Sequence, residues 1–251
     1  MLGGAHFSSG YGSGLRCRPA KHAMIEIISA TRMTEDEFWS RSALGISLRR
    51  LNKDKRLVPR IAFANRRGLP DVFNERISAT EGQDLLVFVH DDVWIDDFFL
   101  VDRVIEGLQA FDVVGIAGNL RRVPRQPAWA FVGRNAAGGF VWDERRFLSG
   151  AVAHGVTPFG AVSFFGSAPA ACELLDGVFL AARRSKLLET GALFDPAFAF
   201  HFYDLDFCRT TRAAALRLGT WPIAVTHQSG GAFGSVDWTL QYHAYLEKWR
   251  D

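Results

Sequence analysis

The chain has 251 residues, of which 48% are hydrophobic and 22% are charged, and its formal net charge is +2. A chain of this length buries a substantial core without disulfides, and its weak net charge gives no sign of the strong field typical of nucleic-acid binding. No apolar run reaches the roughly 18 residues that cross a bilayer. The cysteines, Cys17, Cys172 and Cys208, are scattered, which argues against a disulfide framework or a zinc site and fits a cytoplasmic protein.

The N-terminal residues 1–23 are rich in Gly and Ser and predict a disordered extension. From residue 24 onwards, strand and helix patterns alternate. Helices are predicted to begin at a capping box formed by Thr34 and Glu37, near Pro70, and at Asp96. The first four strands are predicted at 24–30, 56–65, 85–89 and 113–118. This alternation is typical of a parallel sheet covered by helices on both faces.

The third predicted strand runs directly into acidic residues, in the sequence "LLVFVHDDVWIDDFF". Ligands of such sheets bind beyond the carboxyl ends of the strands. Asp91 and Asp92 lie at such an end, where two adjacent carboxylates repel each other unless a cation is present. A divalent cation, Mg²⁺ or Mn²⁺, would remove that repulsion and bind a substrate phosphate. The alternative is that the two acids are ordinary loop residues or helix caps.

The segment 119–173 is less regular, with short aromatic runs separated by glycines. This pattern favours hairpins or a mobile loop over a helix. The segment either forms one wall of a binding cleft or is a β-excursion whose aromatic residues only fill the core.

Two further strands and a helix are predicted in the C-terminal part of the chain. A strand at 177–183 follows Asp176, and the sequence "FYDLDF" begins a helix that continues to Leu218 and stops at Gly219. Asp204 and Asp206 lie at the start of this helix, where capping explains one carboxylate. The other would lie in an aromatic shell and could act as a general base.

The last predicted strand, "WPIAVTH" at 221–227, ends at His227. A histidine at this position is either a structural residue or a metal ligand, and the sequence is compatible with both interpretations. The C-terminal stretch "LQYHAYLEKWR" could form an amphipathic helix that packs on the body of the protein or on a second copy.

Taken in order, the strand-terminal HDDV, the DG-strand, the aromatic D-x-D helix start and the strand ending in His resemble the GT-A fold glycosyltransferases of family 2, most closely a bacterial glycosyltransferase-like group. The segment "GLPDVFNERI" at 68–77 adds to this likeness, which covers roughly 24–238. The resemblance implies an α/β fold with a mixed, mostly parallel sheet flanked by helices. It also implies one domain over 24–251, with a nucleotide-binding half at 24–118 and an acceptor-binding half at 119–251.

The resemblance implies roles for individual residues. Asp92 would be the main ligand of Mn²⁺ or Mg²⁺, and His227 would complete the metal shell or touch the diphosphate. Asp204 matches the family's catalytic base, but Tyr203 precedes it where the family has Glu, which leaves open whether Asp204 or Asp206 is the base. The residues expected to contact the nucleotide sugar are Thr31, Arg32, Asn65, Asn74, Asp91 and Asp176.

The implied activity is inverting transfer of one sugar from a nucleotide diphosphate sugar, with UDP as the expected nucleotide, to a carbohydrate or glycolipid acceptor. The family points to bacterial surface glycan synthesis, in the cytoplasm or at the periphery of the inner membrane. Three alternatives remain: an inactive nucleotide-sugar binder, a nucleotidyltransferase, and a Mg²⁺-dependent phosphohydrolase with Asp91 as nucleophile. The first predicted strand is followed by "ISATRMTEDEF", which has no glycine, and this weighs against a nucleotidyltransferase.

Overall fold

The computed structural model describes residues 23–231 and 233–251. The predicted disordered extension at 1–23 therefore lies, apart from its last residue, outside the described residues. The helices are α1 Glu35–Arg41, α2 Ala43–Arg50, α3 Leu69–Ile77, α4 Leu100–Ala110, α5 Arg184–Thr190, α6 Tyr203–Ala213 and α7 Val236–Trp249. The strands are β1 Ile25–Ala30, β2 Leu57–Ala62, β3 Leu85–Val89, β4 Val93–Ile95, β5 Val113–Gly115, β6 Ala117–Asn119, β7 Phe131–Arg134, β8 Phe140–Trp142, β9 Leu148–His154, β10 Ala161–Gly166, β11 Ala170–Cys172, β12 Leu174–Leu175, β13 Phe179–Arg183, β14 Leu218–Thr220 and β15 Val225–His227.

The central sheet has seven strands in the order β11-β14-β5-β13-β3-β1-β2. Strands β2, β1 and β3 are parallel, and so are β14 and β5. Strand β13 runs antiparallel between β3 and β5, and β11 runs antiparallel to β14. The fold class predicted from the sequence, a mixed and mostly parallel α/β sheet with flanking helices, is confirmed, and it is the architecture that the GT-A resemblance implies. The sheet combines strands that precede residue 118 (β1, β2, β3 and β5) with strands that follow it (β11, β13 and β14).

A second sheet, in the order β12-β6-β9-β15-β4 with β10 paired to β9, lies beside the first. Strand β4 begins immediately after the two acids that follow β3, because the chain passes from one sheet into the other at this point. Strand β15 pairs antiparallel with β4, with His227 opposite Val93. This register places His227 beside Asp92, although 135 residues separate the two in sequence.

Several local predictions are confirmed. The capping box of Thr34 and Glu37 starts α1, and Pro70 lies in the first turn of α3. The hydrophobic side chains of β3 are fully buried, as expected for a strand that is covered on both faces. The segment 119–173 forms two hairpins, β7–β8 and β9–β10.

Other local predictions are wrong in their bounds. The predicted strand at 113–118 is divided between the two sheets as β5 and β6. The helix expected to reach Leu218 ends at Ala213, and Gly219 lies inside strand β14, where any side chain would collide with Phe111. Asp96 does not cap a helix: it is buried and accepts hydrogen bonds from Thr226 and from the backbone of Phe159.

The C-terminal helix α7 packs on the body of this chain. Trp238 and Tyr245 are buried in the core on its inner side. Lys248 forms ion pairs with Asp195 and Asp206, 2.7 and 2.6 Å away respectively. Among the described residues, no helix is both long and apolar enough to cross a membrane.

Candidate active site

Three potential metal ligands meet at the carboxyl end of β3. The side chains of His90, Asp92 and His227 each offer one ligand atom, and these atoms lie within 4.8 Å of one another. Nε2 of His227 is 3.2 Å from Oδ1 of Asp92, and Nδ1 of His90 is 4.0 Å from the same oxygen. Because β3, its following turn and β15 all converge here, residues from distant parts of the chain form one cluster.

The electrostatics of this cluster fit a bound cation. Oδ1 of Asp92 is buried, and in the described chain it receives no hydrogen bond of good geometry. Burial raises the pKa of Asp92, but His227 and His90 outweigh burial and lower the pKa to about 2. Burial lowers the pKa of His227, yet Asp92 raises it more strongly. A carboxylate whose neighbours are two imidazoles is a usual donor set for a divalent transition-metal ion.

Tyr203 fixes the orientation of His90. The Tyr203 hydroxyl donates to the carbonyl of Gly177 at 2.8 Å, and its oxygen is also 2.8 Å from Nε2 of His90. A hydroxyl has a single hydrogen, and a carbonyl only accepts. Nε2 of His90 therefore carries the proton and donates to Tyr203, which leaves the lone pair on Nδ1 on the side of Asp92. This is the arrangement in which metal-ligating histidines are held by a second partner.

Asp204 follows Tyr203 at the start of α6 and lies against the loop that precedes β13. Its Oδ2 accepts from the backbone N–H of Gly177 at 3.1 Å, and its Oδ1 accepts from that of Leu205 at 2.9 Å. Burial and the neighbouring carboxylate of Asp176 raise the pKa of Asp204 to about 7. A carboxylate with this pKa gains a proton readily near neutrality, which is the property of a general base.

Gly177 is the residue that lets these groups approach. A Cβ atom at Gly177 would lie 2.5 Å from the Tyr203 hydroxyl and 2.7 Å from Cβ of Asp204. Only glycine fits such an approach. The neighbouring Asp176 accepts from the backbone N–H of Val178 at 3.0 Å and stays partly exposed.

Asp206 has different surroundings. It is fully buried, and it accepts from the indole N–H of Trp249 at 2.8 Å and pairs with Lys248 at 2.6 Å. Both partners belong to α7, so the carboxylate joins two helices of the fold. Burial nevertheless raises the pKa of Asp206, because it outweighs the contacts with Lys248 and Trp249.

The residues expected to bind the nucleotide lie at the ends of β1 and β2. The backbone of Thr31 bonds to Ala62 and Asn65 at 3.0 and 2.8 Å, and its side chain is buried. Arg32 is exposed. The side chain of Asn65 bonds to the backbone of Arg67 and borders a cleft of about 700 Å³ along the edge of β2.

Two other expected nucleotide-sugar residues occupy different settings. The side chain of Asn74 makes two hydrogen bonds to the backbone of Phe194, at 2.7 and 3.0 Å, and so ties α3 to the loop before α6. Its amide is thus engaged in holding the fold. Asp91 is partly exposed beside Asp92, and its carbonyl accepts from Leu44 at 3.1 Å.

The sequence analysis did not predict His90 as a metal ligand, nor Tyr203 as the residue that orients it. His90 follows directly on the buried strand β3, in the same position relative to the sheet edge as the two acids after it, and this signal could have indicated His90. No local pattern indicates the contact of His90 with Tyr203, because the contact spans 113 residues.

No protein-family model matches the sequence, and no curated protein matches it. Solved structures with a similar course of the chain include the Drosophila β1,4-galactosyltransferase 7 catalytic domain in complex with xylobiose, at 10% identity, 79% coverage of this chain, 64% coverage of that chain and a TM-score of 0.43. GalNAc-T7 with UDP, GalNAc and Mn²⁺ matches at 11% identity, with 89% and 48% coverage and a TM-score of 0.49.

A third similar structure is the mannosyltransferase PcManGT from Pyrobaculum calidifontis in complex with GDP-Man and Mn²⁺, at 13% identity, 93% and 66% coverage and a TM-score of 0.46. This chain thus spans between about half and two thirds of the length of these three structures.

Proposed function

We propose that this chain is a metal-dependent glycosyltransferase of the GT-A type, which transfers one sugar from a nucleotide diphosphate sugar to an acceptor hydroxyl. One observation carries the proposal. The three potential metal ligands His90, Asp92 and His227 lie one hydrogen bond from the start of α6, which bears a carboxylate that can accept a proton. Tyr203 makes that hydrogen bond to His90, and Asp204 is the next residue. The metal-ligand triad and Asp204 would thus provide the two groups that sugar transfer to a hydroxyl requires, a cation site and a base.

His90, Asp92 and His227 would hold the cation. Two imidazoles beside one carboxylate suit Mn²⁺ better than Mg²⁺, which prefers oxygen ligands and retains its water. When bound, the cation would stabilise the negative charge that develops on the leaving nucleoside diphosphate. The convergence of two imidazole nitrogens on one oxygen of Asp92, at 3.2 and 4.0 Å, supports this assignment, since it places three ligand atoms close enough together to hold one ion.

Asp204 would take the proton from the acceptor hydroxyl as that oxygen attacks the anomeric carbon. Its two backbone hydrogen bonds fix the carboxylate in place, and a pKa of about 7 suits both acceptance and release of a proton at neutral pH. Attack on the face opposite the leaving diphosphate inverts the configuration at the anomeric carbon. Asp176, which shares this pocket, would contact the donor sugar.

The nucleotide would lie along the carboxyl ends of β1 and β2. Thr31 and Asn65 are joined there through their backbones, and the exposed Arg32 lies between them in sequence. Asp91 would face the ribose. From the family resemblance we also propose that the nucleotide is UDP, that the product is a bacterial surface glycan and that the protein is cytoplasmic.

The proposal is tested by measuring nucleoside diphosphate release from a panel of UDP- and GDP-sugars with Mn²⁺ and simple glycoside acceptors. We expect Mn²⁺-dependent release that Asp204→Asn abolishes. Asp206→Asn serves as the matched control, because it alters the next carboxylate of the same helix turn. Binding of the sugar nucleotide with no release under any condition would instead identify an inactive binder. Activity that survives Asp204→Asn would contradict the assignment of the base.

A further inference from the structure

A group of large apolar side chains lies exposed at the turn of the β9–β10 hairpin, along β10 and before α4. Phe98, Phe159, Val162 and Phe164 are 61%, 63%, 69% and 57% exposed, respectively. The rings of Phe98 and Phe159 are in contact, with centroids 6.4 Å apart. We call these four side chains the aromatic surface. An exposed apolar patch of this kind usually marks an interaction site.

The aromatic surface opens into an apolar cavity of about 560 Å³. Phe159, Val162 and Phe164 form part of its wall, and Trp221, Pro222 and Ile223 are among the residues that line it on the side of the body. The cavity lies at the opposite end of β15 from His227, because residues 221–224 precede that strand. It is therefore separate from the metal-ligand triad.

The fold holds one ring of this surface outward at a conformational cost. Phe159 has a φ of +59°, a left-handed conformation that bulky residues rarely adopt. Its backbone N–H donates to Oδ2 of the buried Asp96 at 3.0 Å, and Thr226 donates to the same oxygen at 2.6 Å. Strain of this kind persists where the surrounding structure enforces it, and such places are often functional.

Two arginines border the rings. The guanidinium carbon of Arg50 lies 5.9 Å from the ring centre of Phe98 and 5.7 Å from that of Phe159. That of Arg145 lies 6.0 Å from the ring centre of Phe164. Arg50 pairs with the buried Asp96 at 3.9 Å, whereas Arg145 is exposed and forms no ion pair within the described residues. Arg145 therefore places an unpaired positive charge at the edge of the aromatic surface.

We propose that the aromatic surface docks on a lipid membrane that contains anionic phospholipids. The rings would enter the boundary between headgroups and acyl chains, and Arg50 and Arg145 would contact lipid phosphates. Apolar residues with basic neighbours are the usual composition of membrane-surface segments. A second copy of the chain fits less well, since it would bring the unpaired Arg145 of the two copies towards one another.

Hydrogen bonds of one residue connect the β9–β10 turn, which carries part of the aromatic surface, to the proposed active site. Gln228 donates from its side chain to the carbonyl of Val156, in the β9–β10 turn, at 3.1 Å, and from its backbone to the carbonyl of Asp92 at 3.0 Å. A membrane-bound orientation would bring the site close to an acceptor carried on a lipid. This last extension rests on the proposed function, whereas membrane docking does not.

Vesicle flotation tests the proposal, using the full chain without metal or nucleotide. Vesicles of phosphatidylcholine alone are compared with vesicles of phosphatidylcholine mixed with phosphatidylglycerol. We expect binding to the mixed vesicles that added salt weakens. The triple variant Phe98→Ser, Phe159→Asn and Phe164→Ser should lower the partition coefficient at least about ten-fold. Asn is chosen at position 159 because it tolerates the left-handed backbone.

The control variant is Leu240→Ser, which removes another exposed apolar side chain (63% exposed) from α7. It should bind vesicles as the unaltered protein does. Arg50→Gln with Arg145→Gln should remove the preference for phosphatidylglycerol. If the triple variant does not fold, Phe164→Ser alone, on the solvent side of β10, should still reduce binding several-fold. The proposal fails if the unaltered protein floats with neither vesicle, if the variants of the aromatic surface bind equally well, or if this surface instead forms a dimer that gel filtration detects.

Discussion

Asp204 and Asp206 lie two residues apart in the first turn of α6, yet their surroundings differ in kind. Oδ1 of Asp206 contacts both Lys248 and Trp249 of the C-terminal helix. Among the described residues no ion pair includes Asp204, and the like-charged Asp176 together with burial raises its pKa. The comparison indicates that a carboxylate paired with a cation of the same chain stabilises the fold, whereas a carboxylate without such a partner remains available to a ligand.

The same contrast separates two other acids. Glu26 lies fully buried at the start of β1 and pairs with Arg76 and Arg184 at 2.9 and 3.3 Å. Within the part of the chain that the structure describes, the possible cationic partners of Asp92 are His90 and His227. An imidazolium loses its proton near neutral pH, and the neutral imidazole can then bind a metal ion through its free nitrogen. An arginine stays charged and cannot do this.

The largest effect is expected from Asp92→Asn. The substitution removes the charged ligand at the centre of the triad, and we expect Mn²⁺ affinity to fall at least about 100-fold. Electron paramagnetic resonance of free Mn²⁺ measures this directly. Asp91→Asn is the matched control and should retain most of the affinity. Equal losses in the two variants would show that the pair acts only as a diffuse negative charge.

Asp204→Asn should reduce the transferase rate by about 10²- to 10⁴-fold while Mn²⁺ binding is retained. In the unaltered enzyme the rate should rise with pH through about 7, because Asp204 acts as a base only when it is ionised. The raised pKa also means that ionisation disfavours the folded state as the pH rises from about 4 to 7. Asp204→Asn should therefore raise the melting temperature at pH 8 but not at pH 4. A flat pH–rate profile between pH 6 and 8 would contradict the role of this carboxyl group.

Tyr203→Phe should weaken Mn²⁺ binding by about ten-fold with little change in stability, since the ring stays in its aromatic packing against Phe73 and Phe194. Without the hydroxyl, the proton of His90 is no longer held on Nε2. Nitrogen-15 NMR of the imidazole measures this in the metal-free protein, where the unaltered chain should show the Nε2–H tautomer. The Nδ1–H tautomer in the unaltered chain would overturn the assignment.

Lys248→Met should leave Mn²⁺ binding unchanged and lower the free energy of unfolding by about 2 kcal/mol. Removing one partner of a buried pair is strongly destabilising, but Lys248 is one-third exposed, which reduces the effect. Chemical denaturation measures it. A loss of Mn²⁺ affinity without a loss of stability would contradict the division between the two regions.

The elements that the sequence predicted correctly are those fixed by local chemistry. The capping box at Thr34, the buried strand that leads into Asp92 and the end of the last strand at His227 all depend on neighbouring residues. The predicted start of that last strand at residue 221 is wrong, because β15 begins at Val225. The sequence did not predict the antiparallel insertion of β13 between β3 and β5, because strand order depends on contacts that are distant along the chain. For the same reason it could not separate Asp204 from Asp206: the difference lies in Lys248, which is more than 40 residues away.

The central claim, that the triad binds a cation together with a nucleoside diphosphate, is tested most directly by calorimetric titration of UDP and GDP with and without Mn²⁺. We expect binding to the unaltered chain that requires Mn²⁺ and that Asp92→Asn removes. If neither nucleotide binds in the presence of Mn²⁺, or if Asp92→Asn binds as tightly as the unaltered chain, the triad is not a donor site and the glycosyltransferase proposal is contradicted.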